Sequence, residues 1–193
     1  MIKSLPLLAL LGALLTGCDS PGKVEQGRVV AFDAEKRIVT LIRDTRADAD
    51  HPDYSQLPPQ QFRLPDDPKD TGPLPRAGLR LQLDTARQRI VYFDPAGQTF
   101  QEIAYTPVEH VEGVTPKDER LKGRQFPEFD AERQLLTLYS ARQKLLETLR
   151  LPESARTLPA STWAAGDEVR IYYKEAGQGL RFMNITQTDI FKK

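Results

Sequence analysis

The sequence predicts an all-β protein made of two tandem duplicated, five-stranded barrel-like units behind an N-terminal leader. Three observations predict it. The stretch Phe32-Asp33-Ala34-Glu35-Lys36-Arg37-Ile38-Val39-Thr40-Leu41 is echoed, residue type by residue type, at Phe129-Asp130-Ala131-Glu132-Arg133-Gln134-Leu135-Leu136-Thr137-Leu138, and self-similarity at a distance is the mark of repeated modules. Short β-branched and aromatic runs are separated throughout by polar turn residues, as in small barrels and sandwiches. The 193 residues suffice for one ordinary domain or two small ones.

The leader comes first in chain order. Lys3 precedes an apolar run from Leu5 to Leu15, which closes on Leu15-Thr16-Gly17-Cys18. The run is too short for a permanent transmembrane helix and suits a removable signal peptide over residues 1–17. Leu-Thr-Gly-Cys at this place resembles the lipobox of bacterial lipoproteins. That resemblance implies that Cys18, the single cysteine of the chain, carries a diacylglycerol, that cleavage falls just before it, and that the new amino terminus is acylated, for instance with palmitate. Acyl chains contribute about 0.8 kcal/mol per buried CH2, enough together for stable attachment. The protein is then expected in the cell envelope, lipid-anchored at the periplasmic face of a membrane, with membrane lipid as one partner. Asp19 resembles the inner-membrane retention signal of enteric-type lipoproteins, which favours the inner membrane. Residues 18–26, polar with Pro21 and Gly22, read as a short lipidated tether.

The first unit is expected over residues 27–111. Gly27 to Phe32 and Ile38 to Ile42 flank the polar turn Asp33 to Lys36 and read as a hairpin. Arg43 to Gln61 is acidic and proline-containing, hence an exposed loop. Phe62-Arg63-Leu64-Pro65 is a short strand stopped by proline. Leu79-Arg80-Leu81-Gln82-Leu83 has strict period two, with Arg87 to Phe93 as its hairpin partner and Thr99 to Tyr105 as a further strand. Residues 112–122 are charged and lack apolar periodicity, which suits a linker.

The second unit is expected over residues 123–193 and follows the same order. Leu149-Arg150-Leu151-Pro152 answers Phe62 to Pro65, Leu158-Pro159 answers Leu74-Pro75, and Ala165-Gly166 answers Ala77-Gly78. Val169 to Tyr173 and Leu180 to Ile185 close it as strands. A helix competes over Asp130 to Arg150, where leucines 135, 138, 145, 146 and 149 with Tyr139 also fit one helical face. The valine and isoleucine of the first copy favour strands. Trp163 to Ile171 contains a Gly-Asp-x-Val step that resembles the turn into strand of OB-like and SH3-like barrels.

Chemistry is sparse in this pattern. Lysine plus arginine equals aspartate plus glutamate at 27 each, and Lys3 is the only charge of the leader, so no basic field is left to draw nucleic acid. His51 and His110 are the only histidines, and neither neighbours a glycine-flanked serine, which argues against a histidine-based hydrolase. Asp48, Asp50, His51 and Asp53 bring ligand atoms together, but an EF-hand would need glycine where Asp53 stands and glutamate where Pro59 stands. No metal, cofactor or catalytic residue is assigned. Asp33 with Glu35 and Asp130 with Glu132 could act as acid and base, but both pairs sit where hairpin turns are expected.

Trp163, Tyr172 and Tyr173 are the candidate ligand-binding residues, since barrels of this kind stack ligands on aromatic side chains. Tyr172 and Tyr173, being adjacent in a strand, should face opposite sides. The functional expectation is a non-catalytic binding or scaffolding lipoprotein acting through contacts with an envelope protein partner. The alternatives are a glycan or small-ligand binder and a carboxylate-dependent envelope enzyme.

Overall fold

The computed structural model describes residues 21–46, 48 and 51–188. It is all-β, with twelve strands in three antiparallel sheets and only three short 3-10 turns among the described residues. The strands are β1 (Lys23–Asp33), β2 (Ile38–Arg43), β3 (Gln60–Arg63), β4 (Arg80–Asp84), β5 (Arg89–Asp94), β6 (Thr99–Ala104), β7 (Thr106–Glu112), β8 (Glu128–Asp130), β9 (Leu135–Ser140), β10 (Leu145–Arg150), β11 (Glu168–Tyr173) and β12 (Gly179–Asn184).

The strands do not sort into sheets by the two expected units. One sheet runs β12-β11-β1-β2-β3, so strands from both ends of the chain share a ladder. It curls toward closure, because Arg63 and Thr71 form bridges to Gln178 and Phe182. A five-stranded barrel-like sheet is therefore present, but residues 168–184 complete it where the first unit alone was expected to. Its interior packs Val29, Val39, Leu41, Phe62, Leu64, Val169, Ile171 and Phe182. The other two sheets are β4-β5-β6 and β7-β10-β9-β8. They share a core of Leu83, Ile90 and Tyr105 with Leu136, Leu138, Leu145, Leu149 and Trp163, again mixing the two expected units. A third cluster joins Val30 and Ile42 to Leu79, Leu81 and Phe93.

One strand, β1, serves two cores. Val29 and Val30 face opposite sides of the strand, one into the barrel and one behind it, and the β1–β2 register shift between Val29 and Ala31 returns Phe32 to the barrel side with Val29. Bulges redirect side chains in this way.

Two expectations are corrected, and an alternative is decided in favour of the strands expected. Residues 23–26 were assigned to the tether, but Lys23 to Gln26 pair with Tyr173 to Arg170 as the first half of β1. Glu25 is buried there, and Arg43 Nη2 donates to its Oε2 at 2.6 Å. The linker over 112–122 is pinned by Val114, which is fully buried and whose N–H donates to Lys144 O at 2.7 Å. Over 130–150 the competing helix does not form, because Leu135–Ser140 and Leu145–Arg150 pair as β9 and β10. The leader, Cys18 and Asp19 lie outside the described residues.

The echoed sequence proves to be a turn. Asp33 Oδ1 accepts from Lys36 N–H and Asp130 Oδ1 from Arg133 N–H, each at 2.9 Å, and the turns end on Arg37 and Gln134 at φ 55° and 56°. The same device recurs after β4, where Asp84 Oδ1 accepts from Arg87 N–H at 2.9 Å and Gln88 has φ 55°. Two further turns, ending on Gln98 and Lys144, also place a non-glycine residue at positive φ. Side-chain acceptance by Asp stabilises such turns.

Candidate functional site

A cleft of about 1600 Å³ opens where the sheets meet. Its centre is built from Arg28 on β1, Tyr54 in the loop after β2, Arg80 on β4, Arg142 in the β9–β10 turn and Glu168 at the start of β11. Residues that lie far apart in the chain meet because the segment 161–167 is threaded between β1 and β4. Val29 N–H donates to Asp167 O at 3.0 Å, Gly78 N–H to Val29 O at 3.1 Å, and Arg80 N–H to Ala164 O at 3.0 Å.

Two glycines permit this crossing. A Cβ on Gly166 would stand 1.8 Å from Val29 O, and one on Gly78 would stand 2.4 Å from Ala164 O. The dipeptides Ala77-Gly78 and Ala165-Gly166, read in the sequence as equivalent landmarks, in fact face each other across the crossing. Asp167 secures it. Its buried carboxylate accepts from Arg76 N–H at 2.9 Å, from Asn184 Nδ2 at 2.9 Å and from Gln187 Nε2. Burial alone would raise the Asp167 carboxyl, but these hydrogen bonds and the Arg76 charge hold it below the usual carboxylate range.

Glu168 is the one carboxylate at the centre. Tyr54 donates its hydroxyl proton to Glu168 Oε2, and Arg142 Nη2 lies 3.1 Å from the same oxygen and 3.2 Å from the Tyr54 hydroxyl. Arg28 Nη2 stands 3.8 Å from Glu168 Oε2, and its guanidinium lies 4.8 Å over the Tyr54 ring. Burial pushes the Tyr54 hydroxyl well above its ordinary value, and the Glu168 charge adds to this against the pull of Arg28. The hydroxyl therefore stays a donor.

Arg80 is only 5% exposed. Its Nε donates to Trp163 O at 2.9 Å and its Nη2 reaches Tyr139 O at 3.5 Å. Among the described residues no carboxylate pairs with it. Burial, then the neighbouring Arg28 charge, push its guanidinium down to about 9. Cations arranged this way recognise anionic groups through charge-assisted hydrogen bonds.

The residues named from the sequence lie elsewhere. Trp163 is 5% exposed and packs in the core shared by the second and third sheets, so its ring is not offered to a ligand, which corrects that expectation. Tyr173 packs on Phe62 with ring centroids 5.0 Å apart, while the Tyr172 ring covers Gly22. None of the three lines the cleft. Asp33 and Asp130 serve their turns. Asp50 lies outside the described residues, and no group of three or more His, Cys, Asp or Glu that could hold a metal occurs among the described ones.

Arg28, Tyr54, Arg80, Arg142 and Glu168 escaped the sequence reading. Period two in Leu79 to Leu83 would turn Arg80 outward, but the β4–β5 register shifts between Arg80 and Gln82 and the 161–165 segment covers it. Tyr54 carried the only available signal, as a lone aromatic in an acidic, proline-containing loop.

This is an all-β protein with a cation-floored cleft between its sheets. By its sequence the chain belongs to the family described as a domain of unknown function (DUF4881), matched over residues 20–193. No curated protein and no solved structure matches it.

Proposed function

We propose that this chain is a non-catalytic binding lipoprotein of the bacterial cell envelope, held at the membrane by acylated Cys18, with the cleft as its recognition site. The observation that carries the reading is the cleft itself. It draws residues from all three sheets and, at about 1600 Å³, is larger than the roughly 300–1,000 Å³ usual for a small-ligand pocket, so it has room for a ligand or for a segment of a partner. Its polar groups are hydrogen-bonded to one another in fixed positions, which is the preorganisation that binding rewards. The Leu15 to Cys18 resemblance supports the anchor, and β1 begins five residues after Cys18, which keeps the fold close to the lipid surface.

A photo-crosslinking residue at Gln125, on the cleft rim, should give a discrete crosslinked product in intact cells, while one at Glu35 in the β1–β2 turn should not. In the same cells Cys18→Ser should abolish fatty-acid labelling. Equal crosslinking at both positions, or labelling that survives the substitution, would remove the corresponding half of the reading. A protein-contact site away from the cleft has one observation in its favour. The outer edge of β7 carries no strand partner among the described residues, and Val108 on it is 51% exposed; unpaired edges accept an added strand. A product from Val108 and none from Gln125 would move the site there.

A further inference from the structure

We propose that Arg28, Arg80 and Arg142 form a receptor for a phosphate-class group on an organic ligand, the rest of which lies along the apolar wall of the cleft. The inference rests on the cleft being the recognition site and adds the chemistry of what enters it.

Arg28 and Arg142 converge on one carboxylate, Glu168, and Arg80, close enough to feel the Arg28 charge, has no carboxylate partner among the described residues, so the three guanidinium groups leave two positive charges without a counter-charge. The ionic groups around it do not supply the deficit, because they are engaged with each other. Asp167 pairs with Arg76, Glu128 with Arg124 and Glu102 with Arg89. Asp53, on the rim, accepts from Thr45 Oγ1 at 2.8 Å and lies in the field of Arg46, which lines the same rim. A phosphate monoester carries about −1.5 to −2 at neutral pH, which matches the excess, whereas a carboxylate neutralises only half of it.

Burial sharpens the imbalance. A charge removed from water costs several kcal/mol unless it is paired. Arg80, at 5% exposed, has only carbonyl oxygens for company, and its lowered pKa reports the same deficit. Arg28 Nε is buried without a hydrogen-bond partner. Both wants are met by an acceptor with several oxygens, and guanidinium forks suit the phosphate geometry. Val91, Phe100, Phe126 and Tyr139 add apolar surface to the lining of the cleft, more than inorganic phosphate would use.

Arg80 also ties the Trp163 and Tyr139 carbonyls together, so its replacement would confuse binding with folding. Arg142, in a turn and paired among the described residues with Tyr54 and Glu168, holds no backbone carbonyl there. Calorimetric titration of the full-length chain, extracted in non-ionic detergent, should show saturable binding of phenyl phosphate and at least about tenfold weaker binding of benzoate. Arg142→Gln should weaken phenyl phosphate about tenfold or more, read at a temperature where a ligand-free unfolding scan shows the variant folded, and Arg28→Gln, whose Nη1 also donates to Leu81 O at 2.8 Å, should weaken it likewise under the same control.

A soluble short-chain phosphatidic acid distinguishes the sources of the group. Tighter binding than phenyl phosphate identifies a lipid headgroup; equal or weaker binding identifies a water-soluble ester. No saturable binding of either phosphate probe, or binding that both arginine variants retain, would overturn the proposal. If Gln125 still crosslinks in that event, the cleft remains a binding site for other chemistry. If it does not, the cleft reading has failed as well.

Discussion

His110 on β7 and Glu147 on β10 face each other across the ladder, with Nδ1 2.6 Å from Oε2. Glu147 is 1% exposed, a carboxylate whose only ion-pair partner among the described residues is this imidazole. The hydrogen bond to Glu147, then that to Glu112, raises the His110 pKa above its ordinary value. A group with a raised folded-state pKa contributes its full stabilisation below the unfolded value, about 6.5, and loses it as pH climbs through the folded one. The urea midpoint should therefore fall between pH 6 and pH 9, and the fall should be smaller in His110→Gln. An identical pH profile in the variant would show that the pair does not titrate as described. Asp167 works in the other direction. Its depressed pKa makes its contribution complete above about pH 4 and lost as pH drops through the folded value.

At the scale of elements, the decisive contact is the crossing of the 161–167 segment over β1 and β4. It depends on the absence of a side chain at Gly166, since a methyl there would meet a backbone carbonyl that belongs to a paired strand. Gly166→Ala should cost about 3 kcal/mol or more. Gly72→Ala, whose new Cβ would meet its nearest neighbours at 3.7 Å, should stay within about 0.5 kcal/mol. Chemical denaturation of the two variants side by side checks both, and similar losses would deny the crossing its special geometry. The hairpins were readable because their signals are local: an Asp acceptor, a polar turn and flanking β-branched residues act within ten positions. Arg80 was not readable, since a register shift and a covering segment from 83 residues away decide its burial.

At the scale of the molecule, β1 is paired on one side by β2 and on the other by β11, with β12 next beyond. The N-terminal half therefore lacks two strands of its own barrel until the C-terminal segment arrives. A chain ending at Lys122 should remain unfolded, with collapsed amide chemical-shift dispersion, although it contains all of the expected first unit. The intact protein should unfold in one transition, with far-UV circular dichroism and the fluorescence of buried Trp163 changing together. Folded N-terminal halves or separated transitions would restore two independent modules.

The sequence by itself determined that the chain is all-β and where most of its strands and turns lie, because alternation and turn chemistry are properties of neighbouring residues. It also holds Leu15-Thr16-Gly17-Cys18, whose resemblance to a lipobox is a matter of neighbouring residues. Only the tertiary structure decided which strands pair, that the two halves share their cores, and that arginines from β1 and a distant turn meet one glutamate in the cleft that the buried Arg80 of β4 also lines. Pairing partners and burial depend on which surfaces meet after the chain has closed long loops, and no window of the sequence contains that information.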